Sequence, residues 1–398
     1  MKFEETGFPD WVKIPAKMQN QFFELAEKQT KQIKAKLLRD KAKLESLSKI
    51  LAFSQITDND DWKNWRIAVV DGSDSPVMSE RIGGRFGTYG ATYHIFKGLD
   101  LIDEEYYSGD YSDYQIGDPE ASLKMLQVLT ATLERQTALD CLNQGVDLII
   151  IDGSFFGFRP NCRRIQNAKI REGPHKRGAH LVRYVRDLSL KLLNSGKAIG
   201  IIKRVQSSAI DGWGIFKTGN EDLELFRNDK EIMASLLGEG QVFSYETAFE
   251  DPTAFMYFSR LALQYRRYVR EERSMESIFN AIKADVDRNV RRDLMCEPEQ
   301  ILKTARHYIR CTYPAPPFCF ETPLNFNLAP LLSFFKASCN KATGLPIQLD
   351  LTDQDITIPA GFTREFVEEI EARLTKDSEL DMYEIENHFG SLNPQKQE

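Results

Sequence analysis

Residues 146–154 read VDLIIIDGS, an apolar run that ends in an Asp-Gly-Ser turn beginning at Asp152. Residues 66–73 read RIAVVDGS and repeat this arrangement, with Asp71 in the corresponding position. Short apolar runs that end at turn residues predict buried β-strands. The two segments therefore predict two buried strands, each with a carboxylate at its carboxyl end.

The segments around these strands predict an α/β domain. Residues 119–144 begin with a proline after Asp118, an N-cap residue, and end before Gly145, which is the pattern of one long helix. Residues 178–195 predict another helix, and KAIGIIK (197–203) predicts a strand. Two strand-like stretches near 84–96 follow the first strand. Strands that alternate with helices after such a meander are typical of the α/β class.

Charge is distributed unevenly along the chain. The 398 residues include 52 Lys and Arg and 59 Asp and Glu, for a formal net charge of −7, which by itself weighs against a nucleic-acid partner. Residues 11–50 contain ten basic and four acidic residues, however, and residues 350–398 contain four basic and 13 acidic ones. Residues 100–120, which we expect to form a loop, contain eight acids and no Lys or Arg. We therefore expect a surface divided into basic and acidic regions.

Composition excludes several classes of protein. Hydrophobic residues make up 42% of the chain and charged residues 28%, as in ordinary globular proteins. The six cysteines form no Cys-x-x-Cys pair, so we expect reduced thiols rather than a zinc ribbon or a disulfide framework. The sequence shows neither an apolar signal peptide nor a membrane-spanning segment. These features predict a cytoplasmic protein without a membrane partner.

The chain divides into three predicted parts. Residues 1–60 predict an N-terminal helical arm, which either packs on a core or partner or forms a solvated helical hairpin. Residues 61–360 form the predicted core, with a basic loop at 159–178 and a helical elaboration at about 257–310. Residues 361–398 predict an amphipathic helix and an acidic C-terminal tail.

Three acidic residues and one lysine are candidates for a catalytic site. Asp71 and Asp152 at neighbouring strand ends would form a hard oxygen site for Mg²⁺ or Mn²⁺, although each of them could instead cap its own turn. Glu134 lies on a helix face of small and apolar residues, where it either binds the same metal or pairs with a Lys or Arg. Lys203 ends its strand and either orients a phosphate or water or is an ordinary exposed lysine.

A basic segment begins just after the second Asp-Gly-Ser turn. Between Arg159 and Arg186 there are nine Lys and Arg and one acid, a composition that would guide a polyanion toward the site. Three Phe residues within 155–158 precede it and either stack on bases or belong to the core. The candidate DNA-binding residues are Arg159, Arg163, Arg164, Lys169, Arg171, Lys176 and Arg177.

Taken in order, five features of the sequence resemble the NurA nucleases, which work with the hexameric ATPase HerA in processing DNA ends. The resemblance covers roughly residues 62–360. Its features are VVDGSDS (69–75), Glu134 at 18 residues before Asp152, DLIIIDGSF (147–155), GIIKR (200–204) and GLPIQLDLTD (344–353).

The resemblance implies an RNase H-like mixed sheet flanked by helices, a homodimer, and a Mn²⁺- or Mg²⁺-dependent deoxyribonuclease acting on single-stranded and some double-stranded DNA. It implies that Asp71, Glu134 and Asp152 bind the metal and that Lys203 is the strand-end lysine of the family. The C-terminal motif departs from the family pattern, because Leu345 replaces a Tyr and Asp353 falls where a His is expected. Asp353 is thus a further candidate metal ligand.

The leading hypothesis is a metal-dependent nuclease that hydrolyses phosphodiester bonds in DNA end resection and repair together with a HerA-type ATPase. One alternative is a non-catalytic regulatory subunit of such a motor. Another is an ATPase of the actin and sugar-kinase type, which also places Asp-Gly motifs at strand ends but needs a Gly-rich adenosine motif that the sequence does not show.

Overall fold

A mixed β-sheet runs through the computed structural model, which describes residues 14–115, 117–170, 174–218, 225–250, 254–269, 274–377 and 379–392, without the side chains of 266, 268 and 269. The strands within these residues are β1 (Ser54–Gln55), β2 (Arg66–Asp74), β3 (Ser79–Arg81), β4 (Gly84–Lys97), β5 (Asp100–Asp113), β6 (Leu148–Asp152), β7 (Ala198–Ile202), β8 (Gln241–Ser244), β9 (Thr304–Arg310) and β10 (Phe318–Pro323).

Helices surround the sheet. Those formed by the described residues are α1 (Ala16–Ser48), α2 (Pro119–Asn143), α3 (Arg159–Ile165), α4 (Gly178–Asn194), α5 (Ala209–Thr218), α6 (Asp229–Leu236), α7 (Tyr245–Phe249), α8 (Phe255–Val269), α9 (Met275–Leu294), α10 (Pro298–Ile301), α11 (Leu328–Ala337), α12 (Ile347–Ile356), α13 (Phe362–Leu374) and α14 (Met382–Phe389). A short 3₁₀ helix at Asp61–Asn64 precedes β2.

The strand order identifies the fold. β5, β4 and β2 are consecutive antiparallel neighbours, and β6 and β7 follow β2 as parallel neighbours. Three antiparallel strands followed by two parallel ones, with α2 connecting β5 to β6, form an RNase H-like core, as the sequence predicts. β10, β9, β8 and β1 extend the sheet beyond β7 as antiparallel neighbours.

The central strands are apolar on both faces because helices cover both sides of the sheet. Successive side chains of a strand point to opposite faces. Val69 therefore packs in a cluster with Leu349 of α12 on one face. Val70 packs with Ala138 of α2 and Leu192 of α4 on the other. This arrangement places α2 and α12 on opposite faces of β2.

Residues 100–113 form strand β5 rather than the predicted acidic loop. β5 pairs with β4 along its whole length, and none of its residues is buried. An edge strand that is solvated on both faces can be rich in acids, and its charges discourage pairing with another chain. Composition alone therefore resembles that of a loop here, although the backbone is fully extended.

Part of the predicted basic loop at 159–178 is helical, because residues 159–165 form α3. Cys162 and Ile165 are buried in a cluster with Leu181 of α4, so two apolar residues at helical spacing decide the conformation of a segment that is otherwise basic. The predicted helical elaboration contains α8, α9 and α10. Its last part instead forms β9, because that segment pairs with both β8 and β10.

The N-terminal segment is one continuous helix, α1, and not a helical hairpin. Most of α1 is exposed, and a buried ion pair between Asp40 and Arg227 Nη2 (2.9 Å) anchors its C-terminal half together with buried Leu47. None of the helices in the described ranges combines the length and the hydropathy required to cross a membrane. The six cysteines are free thiols.

Candidate metal centre

The strand register places Asp71 beside Asp152. β2 and β6 pair in parallel up to Val70 and Ile151, and the next residue on each strand is the aspartate. Neighbouring strands are about 4.8 Å apart, so the two carboxylates are adjacent. β6 ends at Asp152 as predicted, whereas β2 continues to Asp74 because β4 still pairs with it. Asp71 thus marks the end of the parallel pairing and not the end of its strand.

The two Asp-Gly-Ser turns need glycine for different reasons. A Cβ atom at Gly72 would lie 3.1 Å from Thr130 Cγ2 and 3.4 Å from Glu134 Cβ, so glycine lets α2 approach β2 closely. Gly153 has a φ of +93° with open space around it, so glycine is required there by the backbone conformation. The same three letters therefore serve two backbone geometries.

Helix α12 adds a third carboxylate to the pair. Asp71 points to the same face of the sheet as Val69, and Leu349 of α12 packs on that face. Asp353 follows Leu349 by one helical turn. One oxygen atom each of Asp71, Asp152 and Asp353 lies within 4.8 Å of the others, a separation that one cation can bridge.

Lys203 lies between two of these carboxylates. Its Nζ donates to Asp353 Oδ1 at 2.7 Å and lies 3.1 Å from Asp152 Oδ2. Burial acts to lower the pKa of Lys203, but Asp152, Asp353 and Asp71 raise it above its ordinary value, so the ammonium stays charged. Lys203 is thus an internal counter-ion of the centre and not an ordinary exposed lysine.

Asp71 is the least compensated acid of the centre. Its side chain is 3% exposed, and the N–H group from which it accepts within the described residues is that of Gly72, at 2.7 Å. Burial raises the pKa of Asp71 well above its usual range, and the negative charges of Asp152 and Glu134 raise it further. Burial also raises the pKa of Asp152. The centre therefore has more negative than positive charge, even with the ammonium of Lys203.

Glu134 approaches from α2, on the other side of β2, and is not one of the three converging carboxylates. Arg135 Nη1 donates to Glu134 Oε1, and Arg135 Nη2 donates to Ser154 O at 2.9 Å, so the predicted ion-pair partner is the next residue in sequence. Burial raises the pKa of Glu134 to about 7 despite Arg135, and the charge of Asp152 adds to this rise. Glu134 thus interacts electrostatically with the centre and also has an arginine partner.

The predicted DNA-binding residues are spread over different environments. Arg159 lines a cleft of about 840 Å³ that also reaches Asp152, Lys203 and Asp353. Arg164 forms ion pairs with Asp118 (2.7 Å) and Glu120 (3.0 Å), which offset its charge. The exposed residues are Arg163, Lys169, Lys176 and Arg177, and Arg171 lies outside the described residues.

The phenylalanines before this segment are mostly core residues. Phe155 and Phe158 are 0% and 5% exposed, whereas half-buried Phe156 lines the cleft. The alternative in which these rings belong to the core is therefore correct for two of the three.

Other residues around the cleft have no counterpart among the sequence candidates. Arg260 of α8 and Arg306 of β9 line it together with Glu321 of β10. Glu321 Oε2 accepts from Phe155 N at 3.0 Å and thereby fixes the turn that follows Asp152. A single acid inside the apolar stretch FCFETP (318–323) is a visible signal for Glu321, while the two arginines have no such signal.

Comparisons with known proteins identify the fold. No protein-family model matches the sequence, and no curated protein matches it. The NurA nuclease from Sulfolobus solfataricus superposes with a TM-score of 0.57 at 14% identity, covering 92% of this chain and 100% of that one. A structure of NurA bound to dAMP and manganese superposes with a TM-score of 0.50 at 10% identity, covering 93% and 99%. At this identity the likeness shows the fold alone, and this chain has the NurA fold.

Proposed function

We propose that this chain, which has the fold of the NurA nucleases, is a divalent-metal-dependent nuclease that hydrolyses phosphodiester bonds in DNA. The observation that carries the proposal is the convergence of Asp71, Asp152 and Asp353 beside Lys203 at the wall of a cleft. Carboxylate oxygens are the ligands that Mn²⁺ and Mg²⁺ prefer. The manganese in a solved NurA structure is consistent with this choice.

The residues present fit a divalent cation. Asp71 is buried with one N–H donor, and its neighbours are negatively charged, so a cation would relieve both the unmet hydrogen-bonding capacity and the repulsion. Asp71, Asp152 and Asp353 would hold it, with Glu134 as the further candidate ligand. Such an ion, when bound, activates a water molecule and stabilises the leaving oxygen of the cleaved phosphodiester.

Lys203, Glu134 and Glu321 would bind the DNA phosphate, exchange a proton and hold Asp152 in position, respectively. Lys203 has its ammonium group beside two proposed ligands, where it can donate to a phosphate oxygen when a cation neutralises those ligands. Glu134, with a pKa of about 7, carries a proton in a substantial fraction of metal-free molecules at neutral pH and can release it there. Glu321 keeps the turn after Asp152 in place through Phe155 N. Asp152 is thereby held at the edge of the cleft.

Finer features of the proposal rest on the motif resemblance and the fold. They are single-stranded DNA and DNA ends as substrates, Mn²⁺ as the metal, a HerA-type hexameric ATPase as partner in end resection, a homodimer, and a cytoplasmic location. The basic residues on the outside of α3 and the following segment would guide DNA toward the cleft. The exposed apolar side chains of α1, such as Phe22 and Phe23, are candidates for partner or dimer contacts.

The test is Mn²⁺-dependent release of nucleotides from single-stranded DNA. Asp152→Ala should lower the rate by about a thousand-fold or more, because removing a metal ligand removes most of the transition-state stabilisation. Asp187→Ala is the matched control, since Asp187 is 53% exposed and pairs with Arg186 on α4. Equal activity of Asp152→Ala and the wild type would refute the proposal. A wild type that binds Mn²⁺ without cleaving DNA would favour the regulatory subunit.

A further inference from the structure

The cleft beside the carboxylates is lined by more basic than acidic residues. Asp152, Lys203 and Asp353 form its metal-proximal part, and helices α8 and α9 form the opposite wall. The basic lining residues are Arg159, Lys203, Arg204, Arg260 and Arg306, and the acidic ones are Asp152, Glu321 and Asp353. An excess of arginine in a cleft next to a proposed phosphodiesterase centre raises the question of which of these charges already have a partner.

Of the four arginines in the lining, Arg260 and Arg306 have acidic partners, Arg204 is exposed to solvent, and Arg159 differs from all three. Arg306 Nε lies 3.3 Å from Glu321 Oε1, and Arg260 Nη2 lies 3.0 Å from Asp285 Oδ2. Arg159 is half-buried, yet within the described part of the chain its guanidinium forms neither a hydrogen bond nor an ion pair. A guanidinium offers five donors, and those of Arg159 remain available to a ligand that enters the cleft.

The charged neighbours of Arg159 favour the binding of an anion there. Burial lowers the pKa of Arg159, and the positive charges of Arg306 and Arg260 lower it further, while Asp293 offsets only part of the effect. Asp293 is itself paired with Arg292 Nη2 at 2.8 Å. The guanidinium groups of Arg306 and Arg260 thus lie close enough to Arg159 to repel it, and an anion bound by Arg159 would be attracted to both.

We infer that Arg159, flanked by Arg260 and Arg306, binds a backbone phosphate of the substrate strand that neighbours the phosphate being cleaved. The inference rests on the proposed nuclease function and identifies the path of the strand, which runs from the metal centre along the cleft. Planar guanidinium donors match phosphate oxygens in bidentate fashion. The apolar lining residues Phe156 and Met256 supply surface for the adjacent base.

The first measurement is the binding of single-stranded DNA by fluorescence anisotropy without added divalent metal. Arg159→Gln should weaken DNA binding by about ten-fold. It should also make the slope of log K against log salt concentration about 0.7 less negative, which is the value for one lost phosphate contact with a single strand. Arg373→Gln is the matched control, because Arg373 is exposed on α13, lies outside the basic segment and does not line the cleft. An unchanged salt slope for Arg159→Gln would overturn the inference.

The second measurement combines the variant with a chemically altered substrate. A single uncharged methylphosphonate linkage is placed at successive positions beside the cleavage site, and cleavage rates are compared. The cleavage rate of the wild type should fall by about ten-fold when the linkage occupies one neighbouring position. The cleavage rate of Arg159→Gln should not fall further there, because the same contact is already absent. Equal sensitivity in both proteins would overturn the inference.

Two controls keep the outcome interpretable. If a thermal unfolding measurement shows that Arg159→Gln is not folded, Arg159→Lys takes its place. Lysine retains the charge without the bidentate geometry of arginine, so this variant should show an intermediate loss of cleavage rate at the same position. Inorganic phosphate serves as a competitor: if Arg159→Gln changes only inhibition by free phosphate and leaves the methylphosphonate profile intact, the site binds free anion and not the strand. A wild type that binds DNA through Arg159 without cleaving it would refute the nuclease proposal alone.

Discussion

Two groups of carboxylates in this molecule have raised pKa values and differ in their hydrogen bonds. Asp71 and Asp152 form one group at the candidate metal centre, and Asp211 and Asp229 form the other beside α5. Burial raises the pKa of all four. Burial and a raised pKa therefore do not separate a candidate ligand from a structural acid.

Hydrogen-bond donors separate the two groups. Asp229 accepts from the N–H groups of Ala209 and Ile210 at 2.9 Å and from the hydroxyls of Ser207 and Tyr245. Asp71 accepts from one N–H group, that of its own neighbour. A carboxylate whose lone pairs are occupied by protein donors has little capacity left for a metal, whereas an uncompensated one gains from binding a cation.

The structural group holds distant parts of the fold together. Asp229 caps the first turn of α5, and Asp211 accepts from Leu225 N at 3.1 Å and Arg227 N at 3.3 Å. Arg227 in turn pairs with Asp40 of α1. This network therefore connects α1, α5 and α6, and its loss should reduce stability. Among its members named here, Ser207 also lines the cleft.

The largest expected effect is a divergence between activity and stability at Asp71. Asp71→Asn should lower nuclease activity by about a thousand-fold or more, because a proposed metal ligand is lost. The same change should raise the free energy of unfolding of the metal-free protein by about 1 kcal/mol, because it removes a buried, repelled charge. Urea unfolding in EDTA and a DNA cleavage assay measure the two quantities. A destabilised Asp71→Asn protein would show that this acid is structural after all.

The reverse divergence is expected at Asp229. Asp229→Ala should lower the free energy of unfolding by about 3 kcal/mol, because it leaves the donors that face this carboxylate unsatisfied in an apolar cluster. Nuclease activity per folded molecule should change by less than about two-fold, since the residue lies outside the cleft. Denaturant unfolding and active-site titration test this together. Loss of activity in the folded fraction would contradict the division into two groups.

The third expected effect is a pH dependence of stability that Mn²⁺ removes from the group at the metal centre and not from the structural group. The raised pKa of Glu134, about 7 against 4.5, means that the metal-free folded state keeps a proton that the unfolded state has released. Stability should therefore fall by up to about 3 kcal/mol as pH rises from about 4.5 to 7. Saturating Mn²⁺ should flatten this part of the profile, because the cation stabilises the ionised carboxylates.

Asp211 supplies the internal comparison for this experiment. Its pKa is raised to about 6, so its contribution to stability also falls as pH rises from about 3.8 to 6. That decline should persist with Mn²⁺, since Asp211 faces backbone N–H groups and not the metal centre. Thermal unfolding across pH with and without Mn²⁺ separates the two contributions. Glu134→Gln should remove the contribution of Glu134 to the Mn²⁺-sensitive part and leave that of Asp71 and Asp152.

Parts of the site follow from local sequence patterns. Asp71, Asp152 and Lys203 can be predicted because apolar runs locate the strands and the register of parallel strands brings their carboxyl ends together. The inward face of Glu134 follows from helical periodicity in the same way. Its pairing with Arg135 does not, because adjacent helical residues point about 100° apart and rarely meet.

Other parts are misjudged for identifiable physical reasons. The acids of β5 resemble a loop because an edge strand that is exposed on both faces needs no apolar alternation. Residues 159–165 resemble a loop because only Cys162 and Ile165 face the core, and the many basic residues mask that short periodicity.

By itself the sequence determined the α/β class, the central strands and the aspartates that follow their apolar runs, since these depend on periodicities of two and 3.6 residues. The family resemblance makes Asp353 a candidate ligand, but only the tertiary structure decided that its carboxylate lies beside Asp71 and Asp152 and that Arg159, Arg260 and Arg306 line one cleft. These groups are distant along the chain and are brought together by sheet order and helix packing. Spacing in the sequence carries no record of such contacts, because they depend on how all the elements pack at once.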